Sequence, residues 1–193
     1  MHKIIFGHII AVFLVISILV FQPSVDGLLI NTVTSFITLE LGLMGINSNN
    51  GVIRLSTAGA WFYFYPITFY QLFSIASVSW SGNQIWTAGD LPSFLTYLAS
   101  LLFALAAATV SLKSLMKVLK LGIYTELAIM AMATLYAGFA IHFMRTGNAG
   151  WMDFIASPLN FVQIVWANMA TIDLTFLLGF AAIQMILALL LGD

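Results

Sequence analysis

Cysteine is absent from this 193-residue chain. Its absence removes disulfides, thiolate nucleophiles, cysteine-ligated iron–sulfur clusters and cysteine-based zinc sites from anything the chain does alone. It also leaves the redox compartment undetermined. Charge is nearly as scarce, at 7% of residues, with 6 Lys and Arg against 7 Asp and Glu. That balance offers no basic face able to neutralise several phosphates, so nucleic acid is not expected as a partner. The sequence also lacks a Walker loop, a dinucleotide fingerprint, a catalytic triad and a His-Glu-x-x-His motif. Catalysis by this chain alone is therefore not expected. The opening MHKIIFGHIIAVFLVISILVF has the basic start and apolar run of a signal peptide. No small-residue cleavage site follows in QPSVDG, so the segment reads as a retained first span.

Apolar side chains fill the rest. The chain is 62% hydrophobic with a mean hydropathy of +1.05, too little polar surface to coat a water-soluble globule. No connecting segment is long or patterned enough to fold as a separate soluble domain. The expectation is one all-α domain, a polytopic integral-membrane helical bundle. Crossing hydrocarbon takes about 20 helical residues, because unpaired backbone groups are too costly there. Stretches of that kind run over residues 4–21, 28–46, 60–79, 92–112 and 123–144, with a longer region at 158–190. That last region contains Asn160, Gln163, Asn168 and Asp173. It reads either as a short half-helix followed by a span beginning near Thr171, or as two tightly turned spans, giving seven crossings rather than six.

Placing the N terminus in the cytoplasm puts Lys3, Arg54, Lys113, Lys117 and Lys120 inside and only Arg145 outside, as the positive-inside tendency prefers. Asp26, Asp90 and Asp153 then lie outside. The lysines anchor topology in this reading, a specific lipid site being the less favoured use. Gly45 to Gly51 reads as a compact polar turn. The connection from Trp80 to Asp90, with its two Trp residues, suits the headgroup interface.

Helical spacing places Asn31, Thr34, Ser35, Thr38, Gly42 and Gly45 on one face of the second span. A seam of small groups lets helices approach closely and supplies hydroxyls for bonds across an interface. Ala104, Ala107, Ala108 and Ser111 form a similar face on the fourth span, and Ala133, Ala137 and Gly138 on the fifth. Packing is the favoured use of these faces, a solute path the alternative.

Glu40 lies almost opposite the second-span seam, beside Val33, Ile37 and Met44. An ionised Glu exposed to lipid costs about 3 kcal/mol on insertion scales, so this side chain is expected to meet protein, water or its own proton. His8 and Glu126 fall near the same membrane side. Together with Glu40 they suggest a buried structural network, a proton relay or an ion entrance. Arg54 is close enough to fold back from its short loop onto a carboxylate, which favours the structural account. Asp173 either caps a final helix, where an acid complements the helix dipole, or faces a cavity. Asn168, with Gln163, either coordinates a solute or pairs polar groups between helices.

His8 and His142 are the histidines expected within spans, at opposite ends, so a haem shared between them does not fit. His2, His8 and the acidic residues show no metal-ligand spacing. The aromatic third span, Trp61 to Phe73, carries Pro66, which removes a helix hydrogen bond and bends the helix. Its rings suit packing against lipid and sibling helices, with a quinone or pigment pocket as the alternative use.

Gly51 to Trp61, followed by Ala-Gly-Trp at residues 149–151, is similar to motifs of the acetate and succinate transporter family. The Asn-Pro-Ala-Pro start of that family is absent and the region after Trp151 is longer. What the resemblance implies is a compact channel of about six helices for small carboxylates. Urea and amide channels of similar size offer a comparison of size alone.

The favoured function is a non-catalytic integral-membrane subunit of a larger complex, supplying helix packing surfaces and bordering a lipid, quinone or proton compartment. Its expected partners are other membrane subunits or further copies of itself, and membrane lipids. No cofactor is expected beyond a bound lipid or quinone. The alternative is a small-solute, carboxylate or proton channel or transporter, with Glu40, His8, Glu126, Asp173 and Asn168 as its polar site. A quinone- or haem-binding redox subunit is a third reading.

Overall fold

The computed structural model describes residues 2–77, 86–87, 90–119, 122–146 and 157–191. Lys120, Asp153, the Ala-Gly-Trp segment at 149–151 and most of the Trp80 to Asp90 connection lie outside these residues. Within them are seven helices and no strand: α1 (His2–Phe21), α2 (Leu28–Asn47), α3 (Gly51–Ser77), α4 (Asp90–Leu119), α5 (Ile123–Thr146), α6 (Pro158–Ala167) and α7 (Leu174–Leu191). Helices α2, α4, α5 and α7 are long and apolar enough to cross a bilayer, and Ile5–Phe21 of α1 is a shorter apolar helix. The protein is an all-α helical membrane bundle.

Compactness divides the chain into two units, Met1–Leu121 with Ala188–Asp193, and Gly122–Leu187. In the first, α2 packs between α3 and α4, and α1 lies along α2 and α4. The α2 face of Asn31, Thr34, Ser35, Thr38, Gly42 and Gly45 is buried throughout, as its 3.6-residue spacing requires. Gly42 sits directly against α4: a Cβ there would lie 2.8 Å from the Ser111 backbone. Facing it are the buried Ala104, Ala107, Ala108 and Ser111 of α4. Small residues on both partners let two backbones nearly touch, the usual source of helix affinity in lipid.

The expected hydroxyl bonds across the seam are replaced by bonds within each helix. Thr34 donates to the Ile30 carbonyl at 2.9 Å, Ser35 to Asn31 at 2.7 Å, Thr38 to Thr34 at 2.8 Å and Ser111 to Ala108 at 3.0 Å. A hydroxyl one turn from a carbonyl satisfies itself locally, so the seam joins by shape.

Local chemistry sets the turns. Gly27, at φ 71°, adopts the left-handed conformation open to glycine at the start of α2. Three residues join α2 to α3, far fewer than a start at Ala60 implies. Asn50 accepts the Val52 N–H on its side-chain oxygen at 2.9 Å, capping α3 nine residues early. At the other end of this unit, Ser93 of α4 donates to the last carbonyl of α1, Phe21, at 2.8 Å. Asp90 and Lys117 occupy the first and last turns of α4, complementing its dipole. Arg54, Lys113 and Lys117 thus gather at the end where α2 meets α3, and Asp26 and Asp90 at the opposite end.

In the second unit α5 and α7 run antiparallel. Gln184 donates to the Thr134 carbonyl at 3.2 Å, Gly138 faces the Leu177 backbone, and Arg145 meets Asp173. The region before α7 takes the half-helix form: α6 has 10 residues, about 15 Å long and half the hydrocarbon thickness.

Candidate functional site

Helices α1 and α2 bring two of the expected site residues together. Val33, Ile37 and Met44 are exposed on the outer face of α2, and α1 lies beside that face with Gly7 against Leu39. Glu40 Oε1 therefore meets His8 Nδ1 at 3.7 Å, with the carboxyl side chain 26% exposed and the imidazole 52%. The His8 ring also stands edge-on to Phe36, its centroid 4.9 Å away. At 3.7 Å the pair is an electrostatic contact rather than a hydrogen bond. Glu40 Oε1 is buried and receives no hydrogen bond. Glu126 is half-buried in the first turn of α5, in the second unit.

Among the described residues Arg54 reaches no carboxylate. Its Nε donates to the Ser48 carbonyl at 2.7 Å, closing the open end of α2. A three-residue turn places the guanidinium beside that carbonyl before it can extend further.

Asp173 caps the final helix. Its Oδ1 accepts the Phe176 N–H at 3.0 Å, while Oδ2 lies 4.0 Å from Arg145 Nη2. The Arg145 guanidinium stands 4.3 Å over the Phe176 ring. Both charged side chains are nearly half exposed, and because charge is costly in hydrocarbon this end of the α5–α7 pair belongs at the membrane surface. Asn168 ends α6, donating from Nδ2 to the Ile164 carbonyl at 2.8 Å. Gln163 is exposed on α6. Among the described residues no three His, Asp or Glu side chains gather as a metal site.

Further buried polar groups lie isolated within apolar helices: the amides of Gln71 and Gln184, which sequence reasoning missed, and the rings of His142 and Trp61. Gln71 is fully buried with neither amide atom hydrogen-bonded, although its backbone carbonyl accepts from Tyr97 Oη at 3.3 Å. Gln184 leaves Oε1 without a partner, His142 leaves both ring nitrogens, and Trp61 its indole N–H. Trp61 stacks on Tyr65 with centroids 4.5 Å apart, and Tyr65 meets Phe69 edge-on at 5.5 Å. All three rings are buried, so this aromatic stripe packs inward. A lone Gln in an apolar run is the signal that could have found Gln71 and Gln184, but hydropathy averaging erases it.

A family model described as "Protein of unknown function (DUF1361)" matches residues 30–187, most of the chain. The chain belongs to this family. No curated protein and no solved structure matches it. The match runs from the buried face of α2 into the α7 residues around Gln184, and so covers both units. It lends no support to the acetate and succinate transporter resemblance. Gly51 to Trp61, one half of that resemblance, forms the first turns of α3.

Proposed function

We propose that this DUF1361 protein is a non-catalytic integral-membrane subunit of a larger complex, supplying helix surfaces for packing. The Gly42–Ser111 contact supports the packing part of this reading. With a Cβ position at Gly42 only 2.8 Å from the Ser111 backbone, α2 and α4 leave no room for a solute between them, and their hydroxyls point at their own carbonyls. The small-residue faces thus act as joints. Exposed apolar side chains cover much of α1, including Phe6, Phe13 and Val20, and offer surface to lipid or to other subunits. The N terminus is placed in the cytoplasm, with the end bearing Arg54, Lys113 and Lys117. Purification from native membranes in lipid nanodiscs tests the reading. A defined assembly with another membrane protein, or with further copies of this chain, is expected. A monodisperse monomer carrying only lipid overturns it.

The buried polar groups favour a second reading, a proton or small-solute channel or transporter. Each unpaired buried donor or acceptor costs about 1–3 kcal/mol, a cost that passage of a polar solute would explain. Reconstituted flux lost on Glu40→Gln, with assembly unchanged, supports it. Vesicles that pass neither protons nor small carboxylates count against it.

A further inference from the structure

We infer that α6 lies in the plane of the membrane interface, its apolar stripe docked into the lipid surface. Three observations fix the placement. The first is level. The Arg145–Asp173 contact marks where the α5–α7 pair reaches water, and Asp173 caps the start of α7. Only Asn168 to Ile172 separate α6 from Asp173, including the short turn Met169–Thr171. The end of α6 is therefore held near headgroup depth. The second is length, since 10 residues do not cross a bilayer.

The third is the exposed surface. Leu159, Val162 and Trp166 are 81%, 59% and 78% exposed, and their i, i+3, i+7 spacing aligns them in one stripe. Asn160 and Gln163 are exposed beside it, whereas Ile164, Val165 and Asn168 are half-covered on the far side. The outward half of α6 is thus split lengthwise into an apolar strip and a polar strip. A helix shaped this way settles with one strip among acyl chains and the other in water. Trp166 suits that boundary, its ring among acyl chains and its N–H at the headgroups. With no charged residue in α6, docking rests on apolar burial rather than on anionic lipid.

The absence of native cysteine makes the test direct. Single substitutions Leu159→Cys, Asn160→Cys, Val162→Cys, Gln163→Cys and Trp166→Cys are each made in the full chain and spin-labelled. The protein is reconstituted into phosphatidylcholine vesicles. Collision with oxygen, which partitions into lipid, is compared with collision with a water-soluble nickel chelate. Labels at 159, 162 and 166 are expected to favour oxygen, at a depth of about 5–10 Å, and labels at 160 and 163 to favour nickel. Three outcomes overturn the inference. Uniform oxygen preference with increasing depth along the helix means a re-entrant segment. Exclusion of both reagents from the stripe means that protein covers it, and nickel access at every position means that α6 stands in water. Because all five sites are exposed, one misfolded variant leaves the pattern readable from the other four.

Discussion

Gly42 has no side chain because none fits. Gly42→Ala puts a methyl group against the Ser111 backbone, and the overpacking outweighs the gain in helix propensity, for a net loss of about 1–2 kcal/mol. Gly59 has nothing within 4 Å of its Cβ position, so Gly59→Ala is expected to gain about 0.5–1 kcal/mol. Unfolding of the two variants side by side in micelles checks both signs. Asp173 permits a similar separation. Asp173→Ala loses the cap on Phe176 N–H and about 1 kcal/mol, whereas Asp173→Asn keeps a capping oxygen and stays near the parent. Equal losses in the two variants would show that the charge facing Arg145 matters more than the cap. The acid at 173 was legible as a helix start from its place before an apolar run. Its contact with Arg145 was not, because the residues between them carry no pattern that announces the pairing.

Helix faces were the most readable level, since burial follows a fixed angular spacing and small residues at that spacing leave few alternatives. The α2 seam could be named residue by residue for that reason. What the seam does with its hydroxyls was less readable, because a Thr can bond its own helix or a neighbour, and only proximity decides. Thr38→Val, which deletes a bond to the Thr34 carbonyl of the same helix, is expected to cost less than about 1 kcal/mol. A larger loss in denaturant titration would mean that the hydroxyl also serves a neighbouring helix. The start of α3 falls nine residues before its apolar run because Asn50 caps the helix ahead of Arg54, whose charge interrupts the apolar pattern. Arg54, which looks like a charge in search of a carboxylate, instead closes a helix end.

Across the molecule, the separation of charges along the first unit makes the topology testable. Asp26→Cys and Lys117→Cys, the first before α2 and the second beside the end of α2, are expected to react with an impermeant maleimide from opposite faces of a sealed membrane, Lys117→Cys from the cytoplasm. Labelling of both from one face would break the arrangement on which the proposed placement of the N terminus depends. The bond from Ser93 to the Phe21 carbonyl bears on how such a molecule is made. A ribosome delivers the first helix long before the fourth, so the final carbonyl of α1 waits at the membrane surface through some seventy residues of further synthesis before its hydroxyl donor arrives. Assembly of this end of the protein is therefore completed late, when the opening helix is clasped by one that emerges well after it.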